Sequence, residues 1–303
     1  MLYTLIMDDH MFSKIYHKSK KYMILLVQLL TKFIGRSEKH KIKEIYHMIK
    51  NAKSDTEIFD YIQTNINKRD SLPYKSNTRG DRTSTIWKSY LDFVLQKYPN
   101  NQPFEIKNYL DIGCNNGTIT ARFGEKLNLD PTHIYGIDLE SFTFGKITPV
   151  PGFIFQYYDG YNIPYATDYF DIVSCSMVLH HVPQMEKLLG EINRVTKING
   201  YFLIKEHNSY STYTKWLIYL EHALYDITEY NISYQDFIKN YYQKPISEHQ
   251  MRSSLEKHGF VQISNTIAEP SPSDTNQFVN KNNPTQSYYA LYKKINNILA
   301  SKS

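Results

Sequence analysis

Apolar positions along this chain follow two periods. In the first hundred residues they recur at helical spacing. Lys20 to Phe33 reads as one helix. Glu38 to Lys50 reads as a second, with Ile42, Ile45, Tyr46 and Ile49 on one face. Ser54-Asp-Thr-Glu57 has the spacing of a capping box and opens a third, burying Ile58, Phe59, Ile62 and Ile66. Asp70 to Asp81, with Pro73, Asn77 and Gly80, reads as a loop. A helix from Thr83 to Tyr98 follows, carrying a stripe of Trp87, Tyr90, Leu91, Val94, Leu95 and Tyr98 and ending at Pro99.

From Tyr109 onward the pattern changes to short apolar runs. The predicted strands are Tyr109–Ile112, Ile134–Ile137, Phe153–Tyr157, Tyr169–Ser176, Tyr201–Ile204, Phe260–Ile263 and Tyr288–Tyr292. Between them lie an amphipathic helix over Met185–Lys197 closed by Asn199-Gly200, a helix around Trp216, Leu217, Leu220 and Leu224, and a helix opened by Ser247 and closed by Gly259. Residues 1–20 show no clean period.

Composition narrows this picture. A chain of 303 residues with 41% apolar content buries one substantial core plus an appendage. Its two cysteines, Cys114 and Cys175, fall at predicted buried strand ends, which points to a reducing compartment and a cytoplasmic location. No secretory leader pattern is present at the start. The apolar run Tyr22–Leu30, broken by Gln28 and then Lys32, is shorter than the roughly 20 residues of a bilayer span, so no stable membrane insertion is expected. Charge is uneven: residues 1–80 hold 15 Lys+Arg against 8 Asp+Glu, a surplus absent from the remainder. The expected organisation is a basic helical extension over 1–80 followed by one domain over 81–303.

The chemistry concentrates between Tyr109 and Glu140. The turn Asp111-x-Gly113-x-x-x-Gly117 links a strand to a helix, and a second strand ends in Asp138. Gly113 lets a ligand approach the backbone and Gly117 lets the helix start close to the strand. A carboxylate at Asp138 suits ribose hydroxyls. Asp111 repels a diphosphate and attracts an ammonium group. A ligand with adenosine at one end and an amino acid at the other suits both carboxylates. This stretch resembles the class I S-adenosylmethionine-dependent methyltransferases, whose first motif runs through Asp111, Gly113 and Gly117 and whose second ends at Asp138. Asn115 stands where that family usually has a further glycine; Asn tolerates a positive φ, so the turn survives.

The resemblance extends to Asp159 with Ile163-Pro164-Tyr165, and to Met177–Val182, particularly as found in the branch acting on small molecules. It implies an α/β fold, a Rossmann-like seven-stranded sheet with the last strand antiparallel. It implies S-adenosyl-L-methionine as cofactor, held by Asp111, Gly113, Gly117, Asp138, Leu139, Asp159, Gly160 and Ser176. His180 and His181 follow a central strand, either lining the cleft or packing. Lys205-Glu206-His207-Asn208 is expected to put four polar groups at the cleft edge, so Glu206, His207 and His180 are the catalytic candidates, with no metal site expected. Arg79 and Arg82 either reach the carboxylate of a bound amino acid or sit in a solvated loop. Residues 210–245 form a candidate substrate lid. The first functional reading is methyl transfer to a small-molecule acceptor. The second is RNA methylation, from the basic front and from Lys205, which falls where ribose 2′-O-methyltransferases carry a lysine; the aspartate those enzymes have after the fourth strand is missing from Ser174–Met177. A reading of another class is a binding module without catalysis.

Overall fold

The computed structural model describes residues 27, 30–31, 39–51, 54–65, 76–98, 105–140, 147–225, 244–270, 278–280 and 287–295. The chain divides into two compact units. One holds Met1–Tyr74, Ser209–Pro245 and Asn282–Gln286; the other holds Lys75–Asn208, Ile246–Lys281 and Ser287–Ser303. In chain order the described helices are α1 (Lys39–Asn51), α2 (Asp55–Asn65), α3 (Ser76–Lys97), α4 (Thr118–Lys126), α5 (Met185–Val195), α6 (Thr212–Tyr225) and α7 (Glu248–Lys257).

The first unit contains α1, α2 and α6. Ile42 and Ile45 of α1 and Ile58, Phe59 and Ile62 of α2 are buried, as the helical spacing requires, and the Tyr61 hydroxyl donates to Glu44 between the two helices. The Glu57 amide donates to Ser54 Oγ at the start of α2. On α6, Leu217, Leu220 and Leu224 are buried. The expected helix Lys20–Phe33 lies almost wholly outside the described residues, as does the candidate lid beyond Tyr225.

The second unit is built on β1 (Tyr109–Ile112), β2 (Ile134–Leu139), β3 (Ile154–Tyr158), β4 (Phe170–Ser176), β5 (Thr196–His207), β6 (Phe260–Thr266), β7 (Ala268–Pro270), β8 (Phe278–Asn280) and β9 (Ser287–Lys294). Seven of these make one sheet in the order β3-β2-β1-β4-β5-β9-β6, and β7 pairs with β8 separately. The first five sheet strands run parallel, while β9 is antiparallel to both β5 and β6. This is the expected seven-stranded α/β sheet with an inserted antiparallel strand. Alternation along each strand builds two cores. Leu110, Ile112, Ile137, Val173, Phe202 and Ile204 pack with Leu188, Leu189 and Ile192 of α5 and Met251 and Leu255 of α7. Tyr109, Ile134, Ile172, Tyr201 and Leu203 pack on the other face with Trp87, Tyr90, Leu91 and Val94 of α3 and Phe123 of α4.

Three boundaries differ from expectation. α3 begins at Ser76, so the segment read as a loop ends inside a helix. One interior glycine, Gly80, costs only about 1 kcal/mol, and the buried stripe further along outweighs it. Arg82, expected just before the helix, lies inside it and is exposed. Asn199-Gly200, read as the stop of α5, belongs to β5: Asn199 takes φ +66 and the pairing with β4 shifts register between Phe170 and Ile172. Finally, β5 continues through Glu206 and His207 because β9 supplies partners for both, Tyr288 and Ser287. The capping box at Ser247 and Gln250 and the left-handed Gly259 match the reading of α7.

Candidate functional site

Five parallel strands bring their carboxyl ends to one edge of the sheet, where open sheets of this kind bind ligands. Between β1 and α4 the chain makes a turn in which Gly113 (φ +70), Asn115 (φ +50) and Gly117 (φ +76) are left-handed. Asn115 thus adopts the conformation that a glycine would, as its side-chain type allows. The close approaches required of the two glycines are internal ones. A Cβ on Gly113 would lie 2.3 Å from Val178 Cγ2, and one on Gly117 would lie 1.9 Å from the Phe153 ring. The amides of Gly113 and Cys114 donate to the Ile137 carbonyl, 2.9 and 3.1 Å away, which moors the turn to β2.

The two motif carboxylates occupy different surroundings. Asp138, in the last turn of β2 pairing, accepts from the Asn115 amide at 2.6 Å and from the Leu139 amide at 2.7 Å, one on each oxygen. It is 7% exposed, and burial raises its pKa against those two bonds. A carboxylate offers about four acceptor directions, so two remain for the hydroxyls of a ribose. Asp111 lies beneath the turn. Ser174 and Thr120 hydroxyls each donate to it at 2.6 Å, and Tyr109 shares a 2.8 Å hydrogen bond with Ser174. Burial pushes its pKa up to about 6. Sequence reasoning assigned Asp111 to an ammonium group and did not anticipate these hydroxyl partners.

Further along the edge, Leu139 and Gly160 (φ +90) lie side by side: a Cβ on Gly160 would meet Leu139 Cδ2 at 3.2 Å. Asp159 is exposed and accepts from the Tyr161 and Asn162 amides at 2.8 and 2.7 Å, and also from the Asn162 side chain. The Asn162 and Tyr161 amides hold its pKa low. It therefore shapes its own turn in this structure. The following Ile163-Pro164-Tyr165 step is fixed from α5: Arg194 donates to the carbonyls of Ile163 and Tyr165, each at 2.8 Å, and Glu191 accepts from the Ile163 amide at 2.9 Å. Ser176 closes β4 opposite Lys205, and the Met177 amide donates to the Lys205 carbonyl.

The expected polar exit of β5 is corrected here. Glu206 and His207 are buried strand residues and do not project from the edge. Phe202, Ile204 and Glu206 share one face, so strict alternation turns Glu206 inward. Its Oε1 accepts from the Val178 and Leu179 amides at 2.9 and 2.8 Å, and its Oε2 lies 2.5 Å from His180 Nδ1. Both side chains of the pair are 2 to 3% exposed. Burial pushes the Glu206 pKa up to about 7, opposed by His181 and by the backbone donors. The His207 ring centre is 5.1 Å from that of His180 and the His181 ring centre 3.9 Å. Lys205 takes the opposite face, its Nζ 5.5 Å from the centre of the Tyr289 ring.

Sequence comparison decides what family this edge belongs to. The profile of a family described as a methyltransferase domain matches residues 79–265, more than half of the chain and the whole of the edge just described. The chain belongs to the methyltransferase-domain family. An uncharacterized methyltransferase of Bacillus subtilis, YcgJ, is 30% identical over 102 residues, which are 32% of this chain and 40% of that protein. An uncharacterized methyltransferase of Schizosaccharomyces pombe is 32% identical over 107 residues, 32% of this chain and 38% of that protein. The matched stretch thus spans about 40% of the length of these two relatives. The crystal structure of YcgJ covers 68% of this chain and 99% of its own at 14% identity and a TM-score of 0.43. The seven-stranded sheet with β9 antiparallel is the fold that the resemblance to class I S-adenosylmethionine-dependent methyltransferases implies. The turn between β1 and α4 fits S-adenosylmethionine: Asp138 keeps acceptor directions open beside a glycine-built loop, and no phosphate-binding sequence is present.

Proposed function

We propose that this chain transfers the methyl group of S-adenosylmethionine to a small-molecule acceptor by in-line displacement. The observation that carries the reading is the Asp138 carboxylate, held by the left-handed turn of Gly113, Asn115 and Gly117 at the carboxyl end of β2. In this reading Asp138 takes the ribose hydroxyls, Leu139, Asp159 and Gly160 lie along the adenine, and Asp111, Gly113, Gly117 and Ser176 surround the amino-acid end. When bound, the cofactor supplies a methyl group on an already activated sulfonium. The protein's contribution is then to hold the acceptor atom about 3 to 3.5 Å from the methyl carbon and in line with the bond that breaks.

A small acceptor is favoured over RNA by two features. The sequence between Ser174 and Met177 lacks the aspartate that would accompany a catalytic lysine. Lys205 itself lies against the Tyr289 ring.

Calorimetry with S-adenosylhomocysteine tests the cofactor assignment. Charge-assisted hydrogen bonds are worth about 1.5 to 3 kcal/mol each, so Asp138→Ala should weaken binding at least about tenfold. Unchanged affinity would remove Asp138 from the site. Labelled S-adenosylmethionine offered separately to the metabolite and RNA fractions of a cell extract tests the acceptor class. Label in RNA alone would reverse the choice, and binding with no transfer to either fraction would make the chain a binding module.

A further inference from the structure

Asn115 stands in the turn where a glycine would serve the backbone equally well, and it brings a carboxamide next to Asp138. Its φ of +50 lies in the left-handed region, which glycine enters without steric cost, so the turn itself does not call for the side chain. The surroundings hold that side chain in one orientation. The Asn116 amide donates to it at 2.6 Å, and since a backbone N–H can only donate, the accepting atom is Oδ1 and the other terminal atom is the Nδ2 nitrogen. Asn116 is itself fixed on both sides. Its carbonyl accepts from the Val150 amide at 2.9 Å, and its side chain accepts from the amide and the hydroxyl of Thr118 at 3.2 and 2.9 Å.

Asn115 is exposed, and its two Nδ2 protons have no hydrogen-bond partner among the described residues. Its backbone amide meanwhile donates to Asp138 Oδ2 at 2.6 Å, so one residue supplies that carboxylate with a backbone donor and carries an unused side-chain donor next to it. An ionised carboxylate only accepts, whereas a hydroxyl both donates and accepts. Hydroxyls that donate to Asp138 therefore keep lone pairs that a carboxylate cannot serve and an amide N–H can. On the methyltransferase reading, which this inference requires, we infer that Asn115 is a further cofactor-binding residue, its Nδ2 donating to the ribose hydroxyls whose protons Asp138 accepts. The ribose is then held by an acceptor and a donor set by the same turn. Because the Asn116 amide fixes the carboxamide before the ligand arrives, little rotamer freedom is lost on binding.

Two other roles make different demands on the same side chain. Closing the turn needs only Oδ1, so an aspartate, which also tolerates left-handed backbone, would replace Asn115 without loss. Donating to the amino-acid end of the cofactor needs Nδ2 but is indifferent to the ribose hydroxyls.

The test is calorimetry on the full-length chain, comparing wild type with Asn115→Gly and Asn115→Asp, with a melting temperature recorded for each. The probes are S-adenosylhomocysteine, 5′-methylthioadenosine, which lacks the amino-acid end, and the 2′-deoxy and 3′-deoxy forms of the latter, weak binders being read by displacement. Glycine accepts the φ of +50 and Asp keeps an oxygen for the Asn116 amide, so both variants should melt close to wild type. Asn115→Gly should bind S-adenosylhomocysteine and 5′-methylthioadenosine about fivefold more weakly, the factor of one neutral hydrogen bond, and Asn115→Asp at least about tenfold more weakly, since it sets an acceptor against the same lone pairs. With at least one of the deoxy probes the difference between wild type and Asn115→Gly should vanish. Equal affinity of those two proteins for S-adenosylhomocysteine, or an aspartate that serves as well as the asparagine, would leave Asn115 a turn-closing role and overturn the inference. A loss in Asn115→Gly that persists with both deoxy probes, or that is absent with 5′-methylthioadenosine, would overturn it too, by taking the contact off the ribose. If the wild type binds neither S-adenosylhomocysteine nor 5′-methylthioadenosine, the methyltransferase reading itself fails and this inference falls with it.

Discussion

Asp111 keeps a carboxyl group beneath the turn between β1 and α4, with the Ser174 and Thr120 hydroxyls as hydrogen-bond partners and the Asp138 carboxylate adding a smaller upward push on its pKa, and this has a consequence for stability. Burial raises its folded-state pKa from 3.8 to about 6, so between those values the folded chain holds a proton that the unfolded chain has lost. The stabilisation is fully present below about pH 4 and disappears as pH rises through about 6. A shift of that size corresponds to roughly 3 kcal/mol, since each pKa unit is worth about 1.4 kcal/mol. Urea denaturation across pH 4 to 8 should show wild-type stability falling with pH, and Asp111→Asn should remove about that much of the fall. Glu206, raised from 4.5 to about 7, contributes in the same direction and keeps a residual slope in the variant. Identical pH profiles for the two proteins would contradict the account of Asp111.

At the scale of elements, the turn between β1 and α4 is a junction of three segments. Its backbone is tied to β2 through Ile137, its Gly113 lies under Val178 of the turn after β4, and its Gly117 lies under Phe153 just before β3. Gly113→Ala would introduce a Cβ in a left-handed conformation, costing about 1 to 2 kcal/mol, and would also press on Val178. The expected result is a lower melting temperature together with weakened S-adenosylhomocysteine binding. Adding Val178→Ala should recover part of the stability, because it removes the contact but not the backbone strain; the double-mutant cycle reads the coupling. Strict additivity of the two substitutions would show that the contact is not felt. The Val178 amide also donates to the Glu206 carboxylate, so the turn after β1 and the histidine turn Leu179–His181 are mechanically joined through one residue.

For the whole molecule, the open matter is the basic front. Among its described residues, α1 carries Lys39, Lys41, Lys43 and Lys50, and Lys43 is exposed between Ile42 and Ile45, which are buried. That is the pattern of a solvated helix face, and Glu44 beside it already engages Tyr61. Each phosphate engaged by a protein contributes a slope of about −0.7 to log K against log salt for a single strand. The full chain titrated with a generic single-stranded RNA at several salt concentrations should therefore show weak binding with a slope of no more than one or two phosphates. A steep slope with sub-micromolar affinity at physiological salt would make the front an RNA-binding element and move the RNA reading to first place.

The sequence by itself determined the sheet unit and the turn between β1 and α4. Gly113, Asn115 and Gly117 are the residue types that left-handed backbone requires, and the apolar runs from Tyr109 to Tyr292 match the seven strands because alternation and burial leave a local mark in sequence. The same is true of the α7 cap, where Ser247 and Gln250 act within one turn of chain. What local pattern does not carry is the pairing of distant residues. Gly80 and Asn199-Gly200 look like breaks, and only packing along α3 and the ladder beside β4 and β9 overrode them. Glu206 reads as an exposed polar exit until β9 is seen to extend β5 past it, at which point strand alternation turns its carboxylate inward onto Val178, Leu179 and His180. Ser174 and Thr120 become partners of Asp111 for the same reason. A carboxylate buried this way must be satisfied by whatever the fold brings within about 3 Å, and the most distant of those partners lie 28 residues from Glu206 and 63 from Asp111.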